Sequence, residues 1–96
     1  MKILSKKQQK KEQKQTEIKL IDFCYEHTSS WGYDRLKGER VSGGIYFLLE
    51  GESFFLPRKK VTDFFISLKN LTPDEEGDLD WDEFWVVYHD FNLGGF

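Results

Sequence analysis

The spacing of apolar residues along this chain predicts three helices. Apolar side chains recur at i, i+3, i+4 and i+7 in three stretches, which is the periodicity of a helix with one buried face. The first helix is expected to end near the segment HTSSWG, because two serines and Gly32 interrupt the pattern there. The three stripes are Leu20, Phe23, Cys24 and His27; Val61, Phe64, Phe65 and Leu68; and Phe84, Val87, Tyr88 and Phe91.

Between the first two helices, β-branched and aromatic residues predict an antiparallel hairpin. The runs GGIYFLL and SFFLP flank EGE, where Gly51 can supply the positive φ of a tight turn. A further strand is predicted within YDRLKGERV, with its turn at Gly38 and Glu39, and Pro57 is expected to end the last strand and to start a helix. The predicted fold class is α+β: an N-terminal helix, a small antiparallel sheet of two or three strands, and two C-terminal helices.

The first fifteen residues lack apolar periodicity. They are polar and rich in lysine, which predicts a basic flexible arm over residues 1–15, as a disordered arm or a frayed helical extension. Residues 16–96 are expected to form a single α+β domain. Residues 1–19 hold seven lysines against Glu12 and Glu17, a local balance of +5. Such a charge run is most often a solvated face or a tail.

Negative charge is concentrated near the other end of the chain. The segment TPDEEGDLDWDEFW, residues 72–85, contains seven carboxylates and no Lys or Arg. Neighbouring carboxylates repel one another, so we expect a bound cation or a basic macromolecular surface to compensate them. Part of the block has a structural use, because Asp80 is placed to cap the last helix with Glu83 as the reciprocal partner of a capping box. A solvated loop with only a capping role remains a further alternative.

The same acidic segment also fits the pattern of a calcium-binding loop. Aligned on Gly77, the segment has the length of an EF-hand loop, with Asp74, Glu76 and Glu83 at the third, fifth and twelfth places. Thr72 stands at the first place, where an EF-hand has aspartate, and no second loop is visible. A single EF-hand-like calcium-binding module or a generic acidic protein-interaction domain is therefore the alternative function of this chain. Our main expectation is that the chain binds no metal and no cofactor.

The sequence contains no arrangement of side chains that indicates catalysis. His27 and His89 lie on different predicted helices, and Cys24 lies on the apolar stripe of the first helix, where a buried inert thiol is expected. We therefore predict a protein that is not an enzyme. One cysteine cannot form an internal disulfide, and neither a long apolar run nor the apolar part of a signal peptide is present. The cytoplasm is the expected compartment, with no membrane partner.

Two parts of the chain together resemble a known family. The stretch IYFLLEGESFFLPRKKVTDFFISLKN, followed by DEEGDLDWDEFW, resembles the type II-A anti-CRISPR proteins, small phage-encoded inhibitors of Cas9, and in particular their acidic α-β-β-β-α-α type that occupies the PAM site. The shared features are an acidic turn at EGES, a helix VTDFFISLKN and an Asp/Glu-rich stretch that runs into DEFW. The similarity covers roughly residues 44–91.

This resemblance implies a non-catalytic inhibitor of a Cas9-type nuclease loaded with guide RNA, present in the host cytosol and monomeric in the complex. Cas9 reads its PAM with arginines, and carboxylates can form bidentate bonds with those arginines in place of DNA. The inhibitor itself would not bind DNA directly. The residues that the resemblance assigns to the contact are Glu50, Gly51, Glu52, Asp78, Asp80, Trp81, Asp82 and Glu83.

Overall fold

The computed structural model describes residues 6–49 and 51–93, with the side chains of the first helix described from Glu12 onward. It confirms an α+β fold with an N-terminal helix, an antiparallel sheet and two C-terminal helices. Short 3-10 segments lie at Ser29–Asp34 and Arg58–Lys60. The main elements are α1 (Lys6–Glu26), β1 (Lys37–Val41), β2 (Gly44–Leu49), β3 (Glu52–Pro57), α2 (Val61–Lys69) and α3 (Trp81–Asp90).

The three strands form one antiparallel sheet in the order β1-β2-β3. The predicted β2–β3 hairpin is confirmed, since Leu49 pairs with Glu52 and Gly51 has a φ of 83°. The turn between β1 and β2 follows Val41, where Gly43 has a φ of 86°. Glycine adopts this left-handed conformation without steric cost, so each connection can be short.

The prediction of a chain reversal at Gly38 and Glu39 is wrong. Both residues lie within β1, where Gly38 pairs with Phe47 and Glu39 pairs with Tyr46. Gly38 is required by close packing instead, because a Cβ at that position would lie 2.8 Å from the Phe47 ring and 2.9 Å from Ile21. The glycine that supplies the turn between β1 and β2 is therefore Gly43.

The core lies between one face of the sheet and the three helices. Each predicted helical stripe contributes at least two fully or nearly fully buried side chains, which confirms the helical periodicity. The Cys24 thiol is completely buried, and this burial raises its pKa, as expected for an unreactive thiol. The buried side chains of these elements include Leu20, Cys24, Ile45, Phe47, Phe54, Leu56, Phe64, Leu68, Phe84 and Val87.

Helix α1 begins at Lys6, earlier than the apolar stripe alone indicates. Of the two interpretations of the basic arm, a helical extension describes residues 6–15. Glu17 belongs to the interior and not to the solvated lysine run, because its side chain has no exposed surface. Its Oε1 accepts a hydrogen bond of 3.2 Å from Nε of Arg40, and its Oε2 accepts one of 3.2 Å from Nε of Arg58. This buried carboxylate thus joins α1 to β1 and to the segment after β3.

Candidate functional site

The acidic loop between α2 and α3 is fastened to the turn that follows α1. The N–H of Leu79 donates a hydrogen bond of 2.7 Å to the carbonyl of His27. The indole N–H of Trp31 donates one of 3.0 Å to the carbonyl of Leu79, and Nδ1 of His27 lies 3.3 Å from the carbonyl oxygen of Gly77. The loop therefore has a defined position relative to the start of the sheet.

Asp78 is the inner member of the acidic loop. Its side chain is only 6% exposed, and its Oδ2 accepts hydrogen bonds from the N–H of Ser30 at 2.8 Å and from the Ser29 hydroxyl at 3.2 Å. Hydrogen bonding from Ser30 lowers the pKa of the Asp78 carboxyl, with smaller contributions from Ser29 and the charge of His27, whereas burial acts to raise it. This predicted contact residue is thus turned into the fold and bonded there.

Asp74 organises the turn at the tip of the loop. Its Oδ1 accepts hydrogen bonds from the N–H of Glu76 at 2.8 Å and from the N–H of Asp78 at 2.9 Å. Gly77 completes the turn with a φ of 81°, and its N–H donates to the carbonyl of Asp74 at 3.0 Å. The carboxylate of Asp74 therefore replaces two backbone acceptors that the loop would otherwise need.

Asp80 caps helix α3, as the sequence predicts. Its Oδ1 accepts a hydrogen bond of 3.0 Å from the N–H of Glu83, while the described residues show no bond from the Glu83 side chain back to Asp80. Asp82 and Glu83 are exposed in the first turn of α3, where their charge suits the positive end of the helix dipole. One half of the predicted capping box is therefore formed.

The other carboxylates of the acidic segment point into solvent. Glu75, Glu76, Asp82 and Glu83 are all exposed. Among the side chains of residues 12–49 and 51–93, the ion pairs of at most 4.0 Å are those of Glu17, so none of these four acids is paired with a Lys or Arg of these ranges. The segment thus uses three carboxylates in its own fold and leaves four for a partner.

The three tryptophans of the chain lie beside this loop. Trp31 and Trp81 meet edge to face with ring centroids 4.9 Å apart, and Trp81 and Trp85 do so at 5.5 Å. Trp81 remains 41% exposed although it contacts both of the other indoles. Its ring is therefore held in a defined orientation while much of it faces solvent, which is the property expected of an aromatic anchor.

Two clefts meet at Trp81. The larger, of about 670 Å³, lies between the turn after α1 and the acidic loop, and the smaller, of about 290 Å³, lies beside the β2–β3 turn. Because Trp81 borders both clefts, the acidic loop and the hairpin turn both lie close to this indole. We call this surface the acidic face and define it by Trp81 and the acids that line the two clefts: Asp34, Glu52, Asp74, Glu75, Glu76 and Asp80.

The structure brings most of the predicted contact residues together. Gly51, Glu52, Asp80 and Trp81 line the two clefts, and Asp82 and Glu83 directly follow Trp81 on α3. Glu50 lies outside the described residues. The residues of the acidic face that the sequence prediction missed are Asp34, Asp74, Glu75 and Glu76.

The geometry gives no support to the calcium alternative. Within the described ranges, no three His, Cys, Asp or Glu side chains are grouped so that they could hold a metal ion. Asp74, a predicted ligand, already accepts two backbone hydrogen bonds.

The described part of the chain also contains no helix that is long and apolar enough to cross a membrane.

No family model, curated protein or solved structure matches this chain. The chemistry of the acidic face is therefore the basis for assigning a function. That face combines exposed carboxylates, a partly exposed indole and a backbone held by internal hydrogen bonds. Such a combination suits contact with a cationic macromolecule better than it suits a small enclosed ligand.

Proposed function

We propose that this chain is a non-catalytic inhibitor that binds guide-loaded Cas9 through the acidic face and thereby blocks DNA binding. One observation carries the proposal: among the described side chains, those of residues 12–49 and 51–93, no Lys or Arg is in ion-pair contact with the exposed acids around Trp81. Carboxylates in this state are free to form bidentate hydrogen bonds with arginines of a partner. The arginines that read a PAM are such partners.

The internal bonds of the loop favour tight binding. Asp74, Asp78 and Asp80 each accept hydrogen bonds from backbone N–H groups, so the loop is already in a defined conformation before a partner arrives. Preorganisation reduces the conformational entropy that binding costs. Trp81 supplies a partly exposed aromatic surface at the centre of the charged region, and tryptophan is among the residues that most often dominate binding energy.

The choice of Cas9 as the target rests on the resemblance to type II-A anti-CRISPR proteins. The element order helix, three strands, two helices agrees with the order that this resemblance implies, and Gly51 and Glu52 of the EGES turn border the acidic face. Both facts support the proposal. The protein would then act in the host cytosol as a monomer bound to the nuclease and its guide RNA, without binding DNA itself.

The same face also suits a generic acidic protein-interaction domain. Electrostatic attraction alone would draw any basic surface to the exposed carboxylates, since long-range steering does not require a specific partner. Competition with DNA separates the two functions. A DNA mimic must leave its partner when a PAM duplex occupies the same arginines, whereas a generic acidic domain would also bind basic proteins that do not read DNA.

The decisive experiment measures binding of the purified chain to guide-loaded Cas9 with and without a PAM-containing duplex. We expect the duplex to compete, and we expect the affinity to fall as salt rises, because exposed charges are screened over about 8 to 10 Å at physiological ionic strength. Cytochrome c, a basic protein that does not read DNA, is the control. Equal affinity for cytochrome c would favour the generic domain, and an affinity independent of salt would contradict DNA mimicry.

A further inference from the structure

Tyr33 is unusual among the aromatic residues because 89% of its surface is exposed. It lies in the 3-10 segment between α1 and β1, directly after Gly32, whose φ of 66° redirects the chain. Arg35, which directly follows the segment, connects it to α1, because its Nε donates a hydrogen bond of 2.8 Å to the carbonyl of Tyr25. The Arg35 guanidinium also lies 3.6 Å from the centroid of the Tyr25 ring. The Tyr33 ring is therefore presented to solvent by a well-connected turn.

Beside Tyr33 lies a groove of about 450 Å³. Its lining combines two tyrosines, two leucines and two cations, and it includes neither Asp nor Glu. Leu48 of β2 is 44% exposed there. We call this feature the Tyr33 groove, lined by Tyr25, Gly32, Tyr33, Arg35, Lys37, Leu48 and Leu49.

The Tyr33 groove is continuous with the acidic face. Leu49 lines the groove and also the cleft that contains Glu52 and Trp81. The sign of the charge reverses across this shared residue, from carboxylates on one side to Arg35 and Lys37 on the other. A macromolecule that covers Trp81 and the hairpin turn is therefore in position to reach Tyr33 as well.

We infer that the Tyr33 groove is a second part of the same binding surface and that it receives an apolar side chain from a segment of the protein partner. That segment would carry a carboxylate to pair with Arg35 or Lys37. Tyrosine and arginine are common anchors of protein interfaces, and a reversal of charge along a surface fixes the orientation of the partner. The inference rests on the proposed function, because it assigns the groove to the same partner.

A nucleic-acid strand is a less suitable occupant of the groove. Its phosphates would have to pass the adjoining cleft, where Asp34 and Glu52 carry the same sign of charge. A protein segment can instead place a single carboxylate at Lys37 and basic side chains at the acidic face. The pattern of charge thus favours a protein surface of mixed sign over the uniform charge of RNA.

The test measures binding to guide-loaded type II-A Cas9 over a range of salt concentrations. We expect Tyr33→Ala to weaken binding about tenfold or more without changing the salt dependence, because the lost contact is apolar. Tyr33→Phe should restore most of the affinity. Lys37→Glu should weaken binding through charge. Ile66→Ala, which truncates a 48% exposed apolar side chain on α2 outside the clefts, is the matched control and should bind as the wild type does.

The possible results are distinguishable. If the wild-type chain binds and both Tyr33→Ala and Lys37→Glu bind equally well, the inference is overturned while the proposed function stands. If the wild-type chain binds no Cas9 of this class, both are overturned. Guide RNA without protein is titrated in parallel, and binding of that RNA that depends on Tyr33 would identify a nucleic acid as the occupant and contradict the assignment. Circular dichroism of each variant confirms that the comparison is between folded proteins.

Discussion

The carboxylate of Asp78 accepts a 2.8 Å hydrogen bond from the backbone N–H of Ser30, and this contact joins the acidic loop to the turn after α1. Trp31, the next residue, extends the junction through its indole N–H to the carbonyl of Leu79. These hydrogen bonds explain how an acidic segment with seven carboxylates, residues 72–85, keeps one conformation: hydrogen-bond donors of the fold hold part of its charge. The exposed acids Glu75 and Glu76 are thereby held in the cleft that Trp81 borders.

The contribution of Asp78 to stability is expected to depend on pH. Hydrogen bonding from Ser30 lowers the carboxyl pKa below its ordinary value of 3.8, so the contribution is fully present above that value and is lost as pH falls through the lowered pKa of the folded state. Asp78→Asn should therefore reduce the free energy of unfolding by about 1.5 kcal/mol at pH 7. The difference from the wild type should shrink at pH 3.

Urea denaturation followed by tryptophan fluorescence measures this effect, because all three tryptophans lie beside the loop. Glu75→Gln is the control, since Glu75 is exposed and its loss should change stability little at either pH. A difference between Asp78→Asn and the wild type that stays constant from pH 7 to pH 3 would contradict the linkage to ionisation.

Local patterns predicted the elements of this fold because those elements follow from periodicity and capping. The stripe that contains Phe84 and Val87 is buried, and Asp80 caps α3, since both features depend on residues within one helix. Two assignments depended on distant parts of the chain and were not predictable locally. Position 38 requires glycine because a Cβ there would collide with the ring of Phe47. Glu17 can be buried because its carboxylate pairs with Arg40 and Arg58, which lie in other elements.

The candidate site shows the same division. Glu75 and Glu76 belong to the acidic segment of residues 72–85, so their charge is evident from the sequence, but only the tertiary structure shows that they border a cleft with Trp81. Asp34 carried no signal at all, because its proximity to the hairpin turn results from how the 3-10 segment meets the sheet. Asp78 was predicted to contact the partner, but it is buried, because a carboxylate in an acidic run can be buried when N–H donors face it.

The buried carboxylate of Glu17 leads to an ordered set of stability changes. Arg40 and Arg58 retain 35% and 47% exposed side chains, whereas Glu17 has none. Replacing both arginines by alanine would leave a buried charge without a cation and should cost about 3 to 5 kcal/mol. Glu17→Gln removes that charge and should cost less, because the two arginines can be hydrated. Urea denaturation measures the free energy of unfolding of both variants, with Lys59→Ala as the control. A larger loss of stability in Glu17→Gln than in the double arginine variant would contradict the role of the arginines as partners of a buried charge.

Calcium is expected to have no effect on stability. The described acids form no group that could hold a metal ion, and Asp74 is occupied by two backbone N–H donors. A bound ion would raise the melting temperature at concentrations above its dissociation constant, so thermal melts with and without millimolar calcium test the point. The EF-hand alternative would gain support from a clear stabilisation that Glu83→Gln abolishes.

Deletion of residues 1–12 is expected to leave the domain folded. In the described part of α1, the first side chain that contacts Glu17 is Gln13, at 3.2 Å, and it would be retained. Deletion of residues 1–17 is the matched comparison, because it also removes the buried Glu17 that joins α1 to β1, and it should lower the melting temperature more than the shorter deletion does. Thermal melts followed by circular dichroism compare the two. Loss of cooperative unfolding in the shorter deletion would show that the basic part of the helix is structural.

Charge reversal on the acidic face tests the proposed inhibitor at named residues. Glu75→Lys combined with Glu76→Lys should abolish inhibition of Cas9 cleavage, because two lysines would face the arginines of the target. Glu52→Lys should weaken inhibition from the hairpin side of the face. These side chains are exposed, so folding should survive in each case. A DNA-cleavage assay reports inhibition, and circular dichroism reports the fold.

The most informative comparison is with Asp80→Ala, which removes the cap of α3 without adding a positive charge. This variant should lose about 0.5 to 2 kcal/mol of stability. It should nevertheless keep more inhibition than the Glu75/Glu76 reversal, because the exposed acids of the loop remain. If the reversed protein is folded and blocks cleavage at the potency of the wild type, the loop cannot be the surface that replaces DNA. Equal loss of inhibition in a stable Asp80→Ala variant would instead show that the Asp80 carboxylate or the position of α3 controls binding, and not the charges of Glu75 and Glu76.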